Sequence, residues 1–383
     1  MKSKVFFVLV ILFISLSAIA IGANQKVNSK SQLGERLFHD VRLSKDGKQS
    51  CASCHNSARA FSDTRREDRM QQLAGAVSVG QDGFSIGDRN APMLTYAALT
   101  PEFHFNNEEG LFFGGFFHDG RASTLEEQAL HPFTDPIEMQ MTERELASRI
   151  RVLYGKELKV FITEEDLQKD KQLLALVAEL IATFERSDAF VSFDSKFDRV
   201  LRGEERFSPK EQRGHDLFVA EDKANCAACH PVPDIKSRRD ESLFTDFSYD
   251  NLGVPINLKV RSVNGKTKNY RDLGLAGNPK VEDENLKGAF KVPSLRNIAV
   301  TAPYMHNGVF NDLRTVVAFY NSRDVNGALN PETGKPWGEA EFDGTKNTEE
   351  LGDLGLTEQD IDDIVSFMLT FTDQRFEQIM PDK

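Results

Sequence analysis

Residues 50 to 56 read SCASCHN, and residues 225 to 231 read NCAACHP. The chain has four cysteines, Cys51, Cys54, Cys226 and Cys229, and each pair is followed at once by a histidine, His55 or His230. Three chemistries can use such a set: two short disulfides, four zinc ligands, or two thioether anchors for c-type haem. A redox Cys-x-x-Cys pair does not require the histidine that follows, and a four-cysteine zinc site requires neither histidine. Haem attachment uses all six residues. Two thiols at this spacing bond both vinyl groups of one porphyrin, and the next residue brings an imidazole under the iron. Two such pentapeptides, with no cysteine left over, predict two covalently bound haem c groups.

The elements around the motifs must position them. LGERLFHDVRLSKDGKQS precedes the first and EQRGHDLFVAEDKAN the second. Both read as a short amphipathic helix, a polar loop, then cysteine, which indicates an internal duplication. Ser208, Pro209 and Glu211 form a capping box with proline at the first helical position. Apolar residues recur at helical spacing over 163 to 188 and 356 to 373, the latter opened by Thr357 with Asp360. Strand signals are weak and scattered. The expected fold is mainly α, with two cytochrome-c-like domains, one haem in each, long loops and little strand. The boundary is expected within DSKFDRVLRGEERFSPK, giving domains of 24–200 and 201–383. Two stretches, 75 to 120 and 323 to 350, read as long loops, which in a compact protein are usually functional or disordered.

The chain begins MKSKVFFVLVILFISLSAIAIGAN. Lys2 and Lys4 precede an apolar run from Val5 to Ala20 and then small residues, the pattern of a secretory signal peptide cleaved after Ala20 or Ala23. A membrane anchor is the alternative, but about 16 apolar residues are few for a span of about 20. Export to the periplasm agrees with c-type haem, which is attached outside the cytoplasm. A mature chain of about 360 residues suggests two domains. The net charge of -12 argues against nucleic acid and anionic membrane surfaces as partners.

The order of CASCH, GDRNAP (87 to 92), HDGRASTLEEQ (118 to 128), HPFTDPIEM (131 to 139), CAACH and FKVPSLRNIAVTAPYMHNG (290 to 308) resembles the bacterial di-haem cytochrome c peroxidases, whose members include a MauG type. The resemblance spans the mature chain. It implies a peroxidatic first haem, an electron-transferring second haem and a calcium ion between the domains. It assigns Glu138 as the catalytic glutamate, Gln128 as its hydrogen-bonding glutamine and Pro132 as a pocket residue. A peroxidase needs such a group to shuttle a proton between the two peroxide oxygens. The Asn90 side chain and the carbonyls of Thr301 and Pro303 match the calcium ligands, and oxygen donors suit that hard ion. Taken singly, these residues read as a surface carboxylate, a solvated glutamine and turn formers.

Three departures from the family pattern bear on mechanism. Gln81 stands where a loop histidine caps the first haem of the resting enzyme in many members. The first haem is therefore expected to be five-coordinate and open, unless His104, in the insertion TPEFHFNNEEGLFFGG, swings over it. Tyr320 stands where many members carry the methionine ligand of the second haem, as in the MauG type. Tyrosinate is a hard anionic donor that lowers the reduction potential and stabilises higher oxidation states. Met305 is the competing ligand, and His306 reads as structural or propionate-side. Third, His118 replaces the usual inter-haem tryptophan. The single tryptophan, Trp337, lies elsewhere, and Ala224 stands where the MauG type has another.

The leading function is a periplasmic peroxidase that reduces hydrogen peroxide with electrons from a small cytochrome, a copper protein or a quinol. A second is MauG-like, peroxide-dependent oxidation of residues in a partner protein, favoured by Tyr320 and Gln81 and opposed by the missing tryptophans. A third is a non-enzymatic electron carrier, opposed by Glu138 and Gln128. A homodimer is compatible with all three.

Overall fold

The computed structural model describes residues 29–65, 73, 75–234, 241–267 and 269–381. The expected signal peptide lies outside them. The chain is helix-rich with a few short strands, as its composition of amphipathic segments and Gly/Pro-containing loops suggests. Helix α1 (Lys30–His39) starts at Ser29, whose hydroxyl accepts from the Gln32 amide, and buries Leu33, Leu37 and Phe38 on one face. The one-turn α2 (Cys51–Cys54) carries the first motif, and α3 (Leu125–Thr134), α4 (Glu143–Leu158) and α5 (Asp170–Glu185) complete the first half. The second half contains α6 (Lys196–Leu201), α7 (Pro209–Val219), α8 (Leu313–Ser322) and α9 (Glu358–Leu369).

The capping boxes expected at Ser208/Glu211 and Thr357/Asp360 both form. The periodic stretch 163 to 188 is not one helix. Thr163 caps a single turn, Glu164–Leu167, and Lys169 is extended before α5 begins. Lys169 pairs with Glu165 at 2.6 Å and Asp166 at 3.0 Å across the single turn, and the break lies in its own extended backbone. The stretches read as loops hold short antiparallel ladders: β1 (His104–Asn106) with β2 (Leu111–Phe113), and further on β5 (Leu329–Asn330) with β6 (Lys335–Pro336). Between these in sequence, β3 (Tyr249–Asp250) pairs with β4 (Phe290–Lys291).

Two large buried clusters form. One runs from Leu33 to Phe190 and is centred on α1, α4 and α5; the other runs from Phe197 to Phe371 and is centred on α7, α8 and α9. Each uses the same packing device. A Cβ on Gly34 would lie 1.9 Å from the Leu180 carbonyl oxygen, and one on Gly214 would lie 2.0 Å from that of Asp363. Gly34 and Gly214 each stand four residues before a buried phenylalanine, Phe38 or Phe218. Only glycine lets α1 approach α5, and α7 approach α9, this closely.

Polar bonds join the halves. Tyr96 donates to Asp373 at 2.6 Å, and Asn297 donates to the same carboxylate at 2.9 Å. Within the second half, Arg296 makes a two-pronged pair with Asp198, at 2.6 and 2.8 Å, with both side chains at 0% exposure. Arg89 reaches Asp272 at 2.6 and 2.7 Å and Asp119 at 2.6 Å. Such pairs are costly to leave half-made, so they fix register more than they add net stability. Among the described residues no helix is long and apolar enough to cross a membrane.

Gly214→Ala should destabilise the protein by about 1–3 kcal/mol or more through overpacking. Gly155 lies inside α4 with nothing within 4 Å of a Cβ. Gly155→Ala should therefore stabilise by about 0.5–1 kcal/mol. Urea midpoints of the two variants, moving in opposite directions, check both.

Candidate active site

The two Cys-x-x-Cys-His motifs are built alike. Ser50 caps α2, and the His55 amide closes back on the Cys51 carbonyl at 2.9 Å. The next loop returns so that the Phe61 carbonyl accepts from His55 Nδ1 at 2.8 Å. In the second motif Cys226–Ala228 is a 3₁₀ turn, and the His230 amide reaches the Cys226 carbonyl at 2.8 Å. The Phe244 carbonyl then accepts from His230 Nδ1, also at 2.8 Å. Phe61 and Phe244 are both left-handed, with φ of 57° and 51°. That conformation is rare for a bulky residue and marks a constrained turn.

With Nδ1 donating to a carbonyl, each imidazole is fixed in the tautomer whose Nε2 carries a free lone pair. This is the arrangement by which a second hydrogen bond orients a metal-ligating histidine. Burial lowers the pKa of both histidines, so both are neutral. The four cysteines form no disulfide with one another, and burial pushes the Cys54 thiol up to about 11 and those of Cys226 and Cys229 up to about 12. Among the described residues, no group of three or more His, Cys, Asp or Glu side chains is placed to share a metal ion. Neutral thiols, free Nε2 lone pairs and an adjoining apolar cavity fit haem.

A cavity of about 670 Å³ touches both motifs, within the range of cofactor sites. Its wall includes Cys54, His55, Cys226, Cys229 and His230. Gln128 and Pro132, from α3, and Glu138, from the turn after it, also face it. The same three residues line a smaller pocket of about 40 Å³ with Cys51, Cys54 and His55. The structure thus gathers the expected peroxide-handling residues beside the first motif. Burial, reinforced by Asp135, raises the Glu138 carboxyl to about 7, against the pull of Arg121 and Arg65. A carboxyl poised there exchanges protons readily near neutral pH.

Gln81 does not face the cavity. Its Oε1 accepts from the Asp46 amide at 3.1 Å and its Nε2 donates to Gln140 at 2.7 Å. His104 is on the exposed β1, bonded to the Glu102 carbonyl and stacked on Phe113. Tyr320, on α8, lines the cavity, and Cys226 and Cys229 are among the groups that, with burial, raise its phenol. Met305 lines the same wall at a positive φ of 70°. His118 also faces the cavity. Its Nε2 donates to the Asn90 carbonyl at 2.8 Å, and burial lowers its pKa to about 4. Asn90, Thr301 and Pro303 share that wall, and Asn90 Nδ2 donates to the Ala76 carbonyl at 3.1 Å. Trp337 bonds Ser322 and packs on Phe310 and Phe319 in the second core.

Two residues beside the first motif escape a reading of the sequence. Glu185, on α5, is 3% exposed, faces the small pocket and has an unpartnered Oε2; burial raises it to about 8. Gln49 donates to Cys54 Sγ at 3.1 Å and leaves its Oε1 unpartnered. Glu185 had a signal: it lies four residues after Ile181, on the apolar stripe of α5. Glu179, in the same run, is half-buried and meets Lys30.

Comparison with known proteins agrees with this construction. The family model for di-haem cytochrome c peroxidase matches residues 28–206. The methylamine utilization protein MauG of Paracoccus denitrificans is 44% identical over 356 residues, covering 91% of this chain and 89% of that protein. The cytochrome c peroxidase Ccp of Escherichia coli is 31% identical, over 73% of this chain and half of its own. The crystal structure of the diheme peroxidase BthA from Burkholderia thailandensis superposes with a TM-score of 0.82 at 33% identity, covering 93% of this chain and 89% of that one. The chain belongs to the di-haem cytochrome c peroxidase family. It is an oxidoreductase of peroxide chemistry, and two haems are its cofactors.

Glu138→Gln should slow the reaction with peroxide by on the order of 10²–10⁴-fold without loss of haem. A carboxyl that accepts a proton must first be ionised, so with Glu138 in that role the wild-type rate should rise with pH through about 7. The variant should lose that rise. Stopped-flow rates across pH check both.

Proposed function

We propose that the protein is an exported di-haem peroxidase whose first haem is open at rest and whose second is ligated by His230 and Tyr320. The carrying observation is the joint placement of Glu138, Gln128 and Pro132 against the first motif. Cys51, Cys54 and His55 would hold the first haem, and Cys226, Cys229 and His230 would hold the second. The two halves would then be cytochrome-c-like domains, with the second core beginning at Phe197. Calcium would sit on Asn90 Oδ1 and the carbonyls of Thr301 and Pro303. A periplasmic address rests on the N-terminal signal pattern.

Haem, when bound, supplies the two-electron redox chemistry of O–O cleavage. The overall reaction, H₂O₂ + 2 H⁺ + 2 e⁻ → 2 H₂O, needs protons delivered at the outer oxygen. Glu138 takes the proton from the oxygen nearer the first motif and returns it to the departing oxygen. Gln128 orients the peroxide by hydrogen bonding, and Pro132 closes the pocket wall. The side chain of Gln81 is committed to Asp46 and Gln140, which supports an uncapped site.

The electron source is a small redox protein or a quinol. A second reading keeps this chemistry and takes the two electrons from residues of a partner protein. Tyr320 beside the second motif favours it, as does the 44% identity to a protein named for methylamine utilization.

One equivalent of peroxide added to the oxidised holoprotein, without reductant, should shift the Soret band at once and remove ferric EPR intensity. Silence until one haem is reduced would mean that the first site is capped at rest. Tyr320→Met should raise the potential of the second haem, because a thioether replaces an anionic oxygen donor. Redox titration of wild type and variant checks the sign.

A further inference from the structure

The cations on the cavity wall are, with one exception, answered by carboxylates. Arg89 pairs with Asp272 and Asp119, Arg121 with Asp119, and Lys266 with Asp88. Lys291, on β4, also faces the cavity. Its Nζ donates to the Gly115 carbonyl. No ion pair is formed by Lys291 with any described carboxylate, and Asp119, the acid that acts on it, is committed to two arginines. An ammonium has three donors, and a carbonyl uses one. Burial lowers this ammonium to about 8, the mark of a cation lacking a counter-ion.

The position of Lys291 is set by the loop that orients the second histidine. Val292 donates to the Ser248 carbonyl at 2.8 Å, and Thr245 Oγ1 donates to the Val292 carbonyl at 2.8 Å. Phe244, the residue before Thr245, is the acceptor for His230. On its other side, the Lys291 amide donates to the His118 carbonyl at 2.9 Å. Lys291 thus stands between the second motif and the Gly115–His118 segment of the first half.

We infer that Lys291 is the counter-ion of a propionate carboxylate of the haem at the second motif. The inference rests on that haem being bound. The ligand class is a carboxylate: it supplies acceptors for the two spare N–H donors and neutralises the cation without a protein acid. The ion pair ties the second haem, through the Gly115 and His118 carbonyls, to the half that handles peroxide. A cation beside the haem stabilises the electron-rich state, so it holds the second potential up against an anionic axial ligand.

The test uses holoprotein of wild type, Lys291→Gln, Lys291→Met and Lys291→Arg. Haem content comes from the pyridine haemochrome, and the two potentials come from spectroelectrochemical titration. Lys291→Gln keeps an amide donor for Gly115 while removing the charge. The expected result is a lower potential at the second haem in the Gln and Met variants, restored by Arg, with the first haem unmoved. Selective loss of the second haem in Gln and Met, with retention in Arg, supports the same pairing. Unchanged potentials in all variants, or a shift confined to the first haem, overturn it. Loss of both haems in every variant including Arg overturns it too, because Lys291 is then only a structural tie. A wild-type chain without haem at the second motif fails the haem reading itself, and the wild-type haem count separates that failure from the others.

Discussion

An imidazole must stand in an apolar cavity with one nitrogen bonded and the other bare, and this is required twice. A neutral histidine can hold that state only if a fixed acceptor takes the Nδ1 proton. The acceptors are main-chain carbonyls of Phe61 and Phe244, both in left-handed turns. Such turns are strained for large residues, so neighbours must hold them. Phe61 stacks on Phe190 at a centroid distance of 4.1 Å, and Phe244 on Phe371 at 3.9 Å. Each aromatic thus anchors its own carbonyl in its half's core, and core packing is spent on aiming an atom.

The helices serve the same end. Gly34 and Gly214 bring pairs of helices into backbone contact and set a compact scaffold beside each motif. Once the pairs are fixed, α3 and the turn after it carry Gln128, Pro132 and Glu138 to the small pocket at the first motif. Among the described residues, the second motif meets Tyr320 from α8 and no comparable carboxyl–glutamine pair. The duplicated frame is therefore differentiated by what its additional elements bring. On the proposed function, one half is furnished for proton transfer to a small oxidant and the other for holding charge.

Electrostatics makes the division workable. The region between the motifs contains Arg89, Asp119, Asp272, Lys291, His118 and His306, drawn from both halves. The two histidines there are neutral because burial lowers them, to about 4 for His118 and about 3 for His306. Neutral imidazoles avoid adding charge beside two redox groups, while the paired arginines lock the halves in register. Glu138 and Glu185, both raised by burial beside the first motif, give that side a supply of exchangeable protons.

Much of this was legible in the sequence because the operative features are local. Two pentapeptides point to haem attachment, capping boxes at Ser208 and Thr357 specify helix starts, and motif order specifies the family. Apolar spacing over 163 to 188 marks helical structure but not the break at Lys169, whose extended backbone separates a single turn from α5. Distance in sequence hid the rest. The carbonyls that hold His55 and His230 lie 6 and 14 residues downstream, and any residue type provides a carbonyl. Glu185 and Lys291 owe their states to burial against segments far away in the chain. Charge type is written in the sequence; whether a charge finds a partner is decided only when the chain folds.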